Sequence, residues 1–449
     1  MENNMSFRAK ATLGFYRTLH LVASVAAIGI TPVLSRYSRR VKEGFNDYLG
    51  NVQCPVAAKK PVLWVHGVSM GESMVALGFA KELKKLYPES TLVFTTTHPD
   101  VIKDVKKKNI ADAVAYFPLD NYRSMCRIFN RWQPDAIFVA ETDFWPEFSQ
   151  QCRVRNVPLF LINGRISSKI ESFYKKARGA AEIVFGAFTA FAVQSRVDAD
   201  RLVNIGVSES KIHVLGNMKA DFTHTTQVNL TPVEHWLNSP KSPLLTEGNG
   251  EDVANSDRGG QRPSVVFGSL HPEEFTALKP LFKKLVADNI AVIIAPRNIT
   301  LAESWAADLA REGISVCRKT QISDSDIMIL DTIGELASVY RLSTISFVGG
   351  SMDYNKTGGH NPLEVLQQNV PLLMGQYYRN FTDIVEQLKE CGGIEIITDA
   401  SQGYEVINKI LTGSSKYTSM VTAGTKVLTS NKGVVSKTLS LVCSNINKE

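Results

Sequence analysis

From Pro61 onward, short apolar stretches alternate with amphipathic stretches of helical period, and this alternation limits the possible folds more than any other feature. Short apolar strands separated by helices pair in parallel, with helices covering both faces of the sheet. The pattern predicts two groups of strands: 62–66, 91–95, 113–117, 136–140, 159–162 and 188–193, then 264–267, 290–295, 327–330, 345–348, 370–374 and 394–397. The sequence therefore predicts an α/β protein with two doubly wound sheets.

The length of the chain also indicates two domains. A chain of 449 residues exceeds one ordinary core, and two domains of about 200 residues each are expected. We expect a Rossmann-like domain over 51–225, a second over 226–449, and a separate N-terminal segment over 1–50. Residues 237–263, which are rich in Asn, Ser, Pro and Gly, predict a flexible surface insertion in the second domain.

The N-terminal segment contains a mostly apolar run from Leu19 to Leu34 with Lys and Arg on both sides. As a helix it would be roughly 24 Å long, short of the hydrocarbon core of about 30 Å. A signal peptide, an amphipathic docking helix, and a membrane anchor or interfacial helix are the three interpretations. The basic cluster from Arg36 to Lys42 does not resemble a signal-peptide cleavage site, and it would attract anionic lipid. We therefore expect association with the cytoplasmic face of a membrane.

Bulk composition excludes several classes of protein. The formal net charge of +6 suits an anionic partner such as an anionic membrane surface, but no arginine-rich or RNP-like signature points to nucleic acid. The six cysteines are scattered without a Cys-x-x-Cys pair, which favours reduced thiols over disulfides or a zinc site. His271 and His360 each lack a neighbouring ligand in sequence, so we expect no metal.

The string from Gly358 to Val365 is the strongest candidate for a nucleotide site. It follows the strand 345–348 and the Gly349–Ser351 turn. A buried strand that leads through glycines into a helix start leaves backbone N–H groups at a positive helix end, where phosphate binds. Glu364 follows Asn361 at the spacing of a capping box. Capping alone would explain an isolated Asn-x-x-Glu, whereas the whole string predicts a nucleotide site in which Glu364 reaches a ribose hydroxyl.

Other strand ends in the second domain supply further candidates for nucleotide binding. A hydroxyl, helix-start N–H groups and an arginine at these positions would neutralise the phosphate of a departing nucleotide. The candidates are Ser269, His271, Pro296, Arg297, Gly334, Glu335, Leu336, Gly349 and Gly350.

In the first domain, the strand 62–66 leads into the sequence Gly-Val-Ser-Met-Gly-Glu, which ends at Glu72. Gly-x-Ser-x-Gly is also the spacing of a hydrolase nucleophile elbow, but no later acid and histidine stand out as partners for Ser69. We expect Gly71 to permit a tight strand-to-helix turn that presents Glu72 at the helix N-terminus. There the carboxylate would accept a proton from an attacking hydroxyl or would only serve the helix dipole.

Two later strand ends of the first domain also carry polar residues. Glu141 begins the sequence Glu-Thr-Asp-Phe-Trp-Pro after the strand 136–140, and Arg165 follows the strand 159–162. Two acids beside Trp-Pro are typical of a ligand rim, and a guanidinium suits an anionic group. Because functional residues of such sheets lie beyond the carboxyl ends of the strands, these ends predict one common site.

Taken together, these motifs resemble those of the 3-deoxy-D-manno-octulosonic acid (Kdo) transferases of lipopolysaccharide synthesis, over roughly residues 10 to 400. The matching motifs are Ser69-x-Gly71-Glu72, Glu141-Thr142-x-x-Trp145-Pro146, Asn163-x-Arg165-x-Ser167, Gly216-Asn217-Met218-Lys219, Gly268-Ser269-x-His271-Pro272, Pro296-Arg297 and Gly358-Gly359-His360-Asn361-Pro362-Leu363-Glu364.

The resemblance implies an inverting GT-B glycosyltransferase, with two Rossmann-like domains facing a cleft and no metal or other cofactor. Its donor would be CMP-Kdo and its acceptor a lipid A precursor, lipid IVA, at the cytoplasmic face of the membrane. Glu72 resembles the catalytic base, and Glu141 resembles a supporting acid in the acceptor cleft. The residues that resemble the CMP-binding set are Ser269, His271, Arg297, Gly350, Asn361 and Glu364.

The sequence departs from the family at three places. The second acid of the usual Glu-Thr-Glu is Asp143, one methylene shorter, which puts a direct role for this position in doubt. The insertion at 237–263 is longer than expected, and His66 receives no role. The alternatives are another GT-B nucleotide-sugar enzyme, either an epimerase or a transferase with a different lipid acceptor, and a non-catalytic binding protein that keeps the fold.

Overall fold

The computed structural model describes residues 5–37, 39–55, 58–107, 109–222, 228–239, 262–352 and 358–446. It divides into two compact units: Met1–Phe222 with Gly433–Glu449, and Thr223–Lys432. Most of the predicted insertion, residues 240–261, lies outside the described residues.

The first unit is built on a parallel sheet of seven strands with helices between them. The strands are β1 (Val62–Gly67), β2 (Thr91–Thr96), β3 (Ala113–Tyr116), β4 (Ala136–Ala140), β5 (Leu159–Gly164), β6 (Ala190–Val193) and β7 (Ile212–Val214), in the order β3-β2-β1-β4-β5-β6-β7. The helices are α1 (Phe7–Tyr37), α2 (Arg39–Tyr48), α3 (Met70–Leu86), α4 (Pro99–Lys107), α5 (Tyr122–Trp132), α6 (Pro146–Arg155), α7 (Ser168–Lys176), α8 (Arg178–Phe185) and α9 (Arg196–Ile205), with 3-10 turns at Glu209–Lys211 and Met218–Ala220.

The second unit repeats this architecture with a second parallel sheet of seven strands. The strands are β8 (Ser264–Leu270), β9 (Ala291–Pro296), β10 (Val316–Arg318), β11 (Ile327–Ile329), β12 (Ile345–Val348), β13 (Leu372–Gly375) and β14 (Ile394–Ile397), in the order β10-β11-β9-β8-β12-β13-β14. The helices are α10 (Thr231–Asn238), α11 (Pro272–Ala287), α12 (Ala302–Arg311), α13 (Leu336–Val339), α14 (Leu363–Leu366), α15 (Thr382–Cys391), α16 (Ala400–Thr412) and α17 (Ser414–Ser430), with 3-10 turns at Ile299–Leu301 and Tyr340–Leu342.

The predicted α/β class is confirmed, and burial explains why the strands were recognisable. Every residue of β1, β2, β4 and β5 is buried, as expected for parallel strands covered on both faces. The sequence missed β7 and β10. Both are three-residue strands at sheet edges with half-buried residues, so neither produces a long apolar run.

The C-terminal helix α18 (Val434–Ile446) belongs to the first unit, although the sequence assigned all of 226–449 to the second domain. The carboxylate of Asp221 accepts hydrogen bonds from the backbone N–H groups of Gly433 and Val435, at 2.6 and 2.7 Å. Val434 and Leu439 then pack into the core beneath β1 and α3. This contact joins residues that are distant in sequence, which local patterns do not reveal.

Helix α1 packs against the first unit along one face, so residues 1–50 are not the separate segment that the sequence predicted. Its Tyr16 hydroxyl donates to Asp120 Oδ2 at 2.7 Å. Its Arg17 forms two hydrogen bonds with the fully buried carboxylate of Glu147, Nε to Oε2 at 2.7 Å and Nη2 to Oε1 at 3.0 Å. Within the described part of the chain, no helix has both the length and the apolar character needed to cross a membrane.

Candidate functional site

The predicted catalytic base, Glu72, lies in the first turn of α3 just beyond the end of β1. The Ser69 N–H donates to Glu72 Oε2 at 2.7 Å, and the Glu72 N–H donates to Ser69 Oγ at 3.3 Å, which together form a capping box. The Thr142 hydroxyl donates to Glu72 Oε1 at 3.2 Å. The carboxylate is therefore held at a positive helix end, and its two oxygens retain lone pairs for a further donor.

The role expected of Gly71 is wrong. Gly71 lies inside α3, its φ is not positive, and a Cβ there would meet nothing within 4 Å. The position that has no room for a side chain is Gly67, where a Cβ would come within 2.9 Å of the Ser73 backbone. Gly67 therefore permits the close approach of β1 and α3 that Gly71 was expected to allow.

Glu141 lies at the end of β4 in a left-handed conformation, with φ of 61°. Its Oε1 accepts from Lys219 Nζ at 2.9 Å and from Asn163 Nδ2 at 3.2 Å. Asn163 Oδ1 in turn accepts from the Met218 N–H at 2.9 Å. Three motifs that are distant in sequence therefore meet at one buried carboxylate, which holds the ammonium group of Lys219 in place.

Neither Lys219 nor His66 had a predicted role, although the place of Lys219 in the Gly-Asn-Met-Lys motif was a usable signal. In the structure, His66 Nε2 and Trp145 Nε1 both lie within hydrogen-bond distance of Asp143 Oδ2, at 2.6 and 2.7 Å. Asp143 is thus part of a buried network beside the turn that contacts Glu72.

In the second unit, His271 and His360 come together after β8 and β12. Their Nε2 atoms are 2.9 Å apart and their ring planes differ by 3°. Burial, with the nearby charges of Arg297 and His271, lowers the pKa of His360 to about 3. His360 is therefore neutral at physiological pH, and the pair shares one hydrogen bond beside an exposed guanidinium. This positive environment favours an anion over a metal cation.

In the glycine turn after β12, the backbone N–H groups have different partners from those that the sequence predicted. The buried carboxylate of Glu274 accepts from the N–H groups of Gly350, Ser351 and Met352, at 2.7, 2.8 and 3.0 Å. The Gly349 N–H donates to the Gly268 carbonyl at 2.8 Å. The expectation that these N–H groups are free to cradle phosphate is therefore wrong, because an internal carboxylate and a backbone carbonyl already accept from them.

The remaining predicted donor residues lie at the same carboxyl edge of the second sheet. Ser269 has a φ of 55° in the irregular end of β8, and the Asn361 amide donates to Glu364 Oε1 at 3.2 Å while its oxygen caps Leu363. The Glu335 carboxylate binds Lys319 Nζ and the Thr332 hydroxyl. The others are Pro296 and Arg297 at the end of β9, Gly334 in a turn with φ of 84°, and Leu336 at the start of α13.

Two α/β units, each built on a parallel sheet of seven strands, are typical of the GT-B-like fold. A glycosyltransferase from Rickettsia africae superposes with a TM-score of 0.58 over 87% of this chain and 100% of its own, at 12% identity. A UDP-N-acetylglucosamine 2-epimerase (putative) from Listeria monocytogenes gives 0.56 over 87% of this chain and 98% of its own, also at 12% identity. At such identity these structures establish the fold alone.

Sequence comparison finds similarity to one kind of glycosyltransferase. The model described as 3-deoxy-D-manno-octulosonic-acid transferase matches residues 39–222. The Haemophilus influenzae 3-deoxy-D-manno-octulosonic acid transferase is 28% identical over 95% of this chain and 97% of its own length. The Chlamydophila psittaci enzyme of the same name is 28% identical over 74% of this chain and 73% of its own. The chain is therefore similar in sequence to Kdo transferases over most of its length.

Proposed function

We propose that this protein transfers Kdo from CMP-Kdo to a lipid A precursor such as lipid IVA, with inversion at the anomeric carbon and without a metal ion. The observation that carries the proposal is the network around the Glu141–Asp143 turn. There Thr142 supports Glu72, and Glu141 holds Lys219. Sequence similarity to Kdo transferases supports the assignment of these groups to glycosyl transfer.

Glu72 would act as the general base. As the acceptor oxygen attacks the anomeric carbon of Kdo, its proton passes to the Glu72 carboxylate and the bond to the CMP phosphate breaks. The Thr142 hydroxyl and the Ser69 N–H orient the carboxylate before the reaction, so that it need not reorganise as the proton moves. Lys219, fixed by Glu141, would bind an anionic group of a substrate.

The second unit would bind the donor. Arg297, the His271–His360 pair and Ser269 lie at the ends of β8, β9 and the segment after β12. A guanidinium can form paired hydrogen bonds with a carboxylate or a phosphate, and CMP-Kdo carries both. Asn361 and Glu364, which already bind each other, would reach the ribose.

Helix α1 would hold the protein at the cytoplasmic face of the inner membrane. Its outer face exposes Phe7, Phe15 and Val22, with relative exposures of 87%, 71% and 65%. Arg8 and Lys10 are exposed on the same helix. Apolar side chains with flanking basic residues are typical of a helix that lies in a membrane interface rich in anionic lipid.

The test is incubation of the full-length protein with a CMP-Kdo generating system and tetraacylated lipid A precursor, followed by mass spectrometry of the lipid. We expect a mass gain of at least one Kdo. Glu72→Gln should abolish the gain and leave CMP binding nearly unchanged, because the base acts only in the chemical step.

Glu82→Gln is the matched control, because Glu82 is a carboxylate on the same helix, more than a third exposed, whose ion pair is with Lys85. Full activity of Glu72→Gln would remove Glu72 from the role of base. Intact CMP binding with no Kdo addition by the wild-type protein would favour a different GT-B activity or acceptor.

A further inference from the structure

His66 is a completely buried histidine in an interior strand of the first sheet, and it has no role in the proposed reaction. It lies in β1 between β2 and β4, and its side chain has no exposed surface. A buried imidazole needs a hydrogen-bond partner at each nitrogen. Both partners are present.

The partners fix the orientation of the ring and place a proton on Nε2. Trp64 Nε1 donates to Thr95 Oγ1 at 2.8 Å. His66 Nδ1 lies 2.8 Å from Thr95 Oγ1 and 3.0 Å from the Thr95 carbonyl oxygen. On the other side, His66 Nε2 lies 2.6 Å from Asp143 Oδ2. A carboxylate only accepts, so Nε2 carries the proton and donates it in a charge-assisted hydrogen bond.

The chain of contacts continues toward Glu72. Asp143 follows Thr142 directly, and the Thr142 hydroxyl donates to Glu72 Oε1. Asp143 Oδ2 also accepts from Trp145 Nε1 at 2.7 Å, so two aromatic side chains bind the same carboxylate oxygen of this turn. His66 cannot reach a substrate, because it is buried, and its influence must pass through Asp143.

We propose that His66 and Asp143 are positioning residues for Kdo transfer: they fix the Glu141–Asp143 turn so that the Thr142 hydroxyl holds the Glu72 carboxylate in its reactive orientation. This inference rests on the proposed function of Glu72. Asp143 contributes by accepting hydrogen bonds and its negative charge takes no part in the proton transfer. An aspartate, whose side chain is one methylene shorter than the glutamate usual in the family, is enough to accept these hydrogen bonds.

Two substitutions of His66 test whether its hydrogen bond to Asp143 is the contact that supports catalysis. Glutamine can place an amide N–H close to the position of Nε2 and so can still donate to Asp143. The shorter asparagine side chain reaches only the position of Nδ1, so it loses the hydrogen bond to Asp143. We expect His66→Asn to lower kcat by about tenfold to a hundredfold, as misplacement of a catalytic group does, with the KM for CMP-Kdo unchanged. His66→Gln should stay within a few fold of wild type.

Asp143 gives a second, independent test at a position that is only partly buried. Asparagine keeps the oxygen that accepts from His66 and Trp145, so Asp143→Asn should retain most of kcat, whereas Asp143→Ala should lose as much as His66→Asn. Combining His66→Asn with Thr142→Val should cost no more than the worse single change, because both act on the same contact with Glu72. Thermal unfolding of each variant checks that it is folded.

The outcomes distinguish this inference from the proposed function. Wild-type protein that fails to add Kdo would overturn the proposed function and this inference with it. Active wild type with full kcat in both Asp143→Ala and His66→Asn would overturn only this inference. A loss in Asp143→Asn equal to that in Asp143→Ala would also overturn it, since the charge itself would then be required. If His66→Asn does not fold, the two Asp143 variants decide.

Discussion

Replacement of Arg17 by methionine tests whether α1 is an integral part of the first unit. Glu147 is fully buried, and Arg17 supplies both of its charged hydrogen bonds. Gln151 Nε2 would remain as a donor to Oε1, at 2.8 Å. Removal of one partner from a buried ion pair costs about 3 to 5 kcal/mol. The Arg17 side chain is 31% exposed, so partial solvation places the expected cost near the lower limit, about 3 kcal/mol.

The assay is urea-induced unfolding of the full-length protein in detergent, followed by circular dichroism and tryptophan fluorescence. Methionine keeps an apolar stem of similar length, so the change isolates the charge. Lys10→Met is the matched control, because Lys10 is an exposed basic residue of the same helix, and it should change stability by less than about 0.5 kcal/mol. In the double variant with Glu147→Gln, much of the cost should be recovered. Equal stabilities of Arg17→Met and Lys10→Met would refute the reasoning.

Three further predictions concern single positions in the two units. Lys219→Met should destabilise the first unit by about 3 kcal/mol in chemical denaturation, because Glu141 would lose its cation; a Glu141→Gln background should remove most of this effect. His360→Gln should reduce the loss of stability on acidification. The unfolded histidine binds a proton below pH 6.5 while the folded one stays neutral to about 3, so wild type loses about 2 kcal/mol between pH 7 and 5 from this group, and an unchanged pH profile would contradict the assignment. Gly268→Ala should lower the melting temperature, because its Cβ would lie 1.8 Å from the hydroxyl of buried Tyr340, an overpacking cost of about 1 to 3 kcal/mol; a wild-type melting temperature would show that Tyr340 can move away.

The sequence could predict the elements of the fold where local pattern and burial agree. The strand at 136–140 is β4 residue for residue. The strand predicted to end at Phe267 extends to Leu270, because its last residues follow an irregular path that a run of apolar residues does not encode.

The candidate site could be predicted as a set of residues but not as a set of contacts. The motifs correctly placed Glu141 and Asn163 at strand ends. The hydrogen bonds from Asn163 and Lys219 to the Glu141 carboxylate, however, depend on the order of the strands in the sheet. The bond between His66 and Asp143 depends on the same order, since β1 and β4 are neighbours in space and not in sequence. Such pairings arise from tertiary structure, which a single sequence shows only indirectly.

The carboxylate of Glu274 has a consequence for how the second unit would respond to ionic strength. Because this loop already contains its own anion, an incoming phosphate finds a negative charge where a helix-end site would offer open N–H groups. Attraction of the nucleotide would then depend on the exposed guanidinium of Arg297. Exposed charges are screened over about 10 Å at 0.1 M salt, so the affinity for CMP should fall as salt is added, more steeply than in an enzyme that binds phosphate through buried backbone groups.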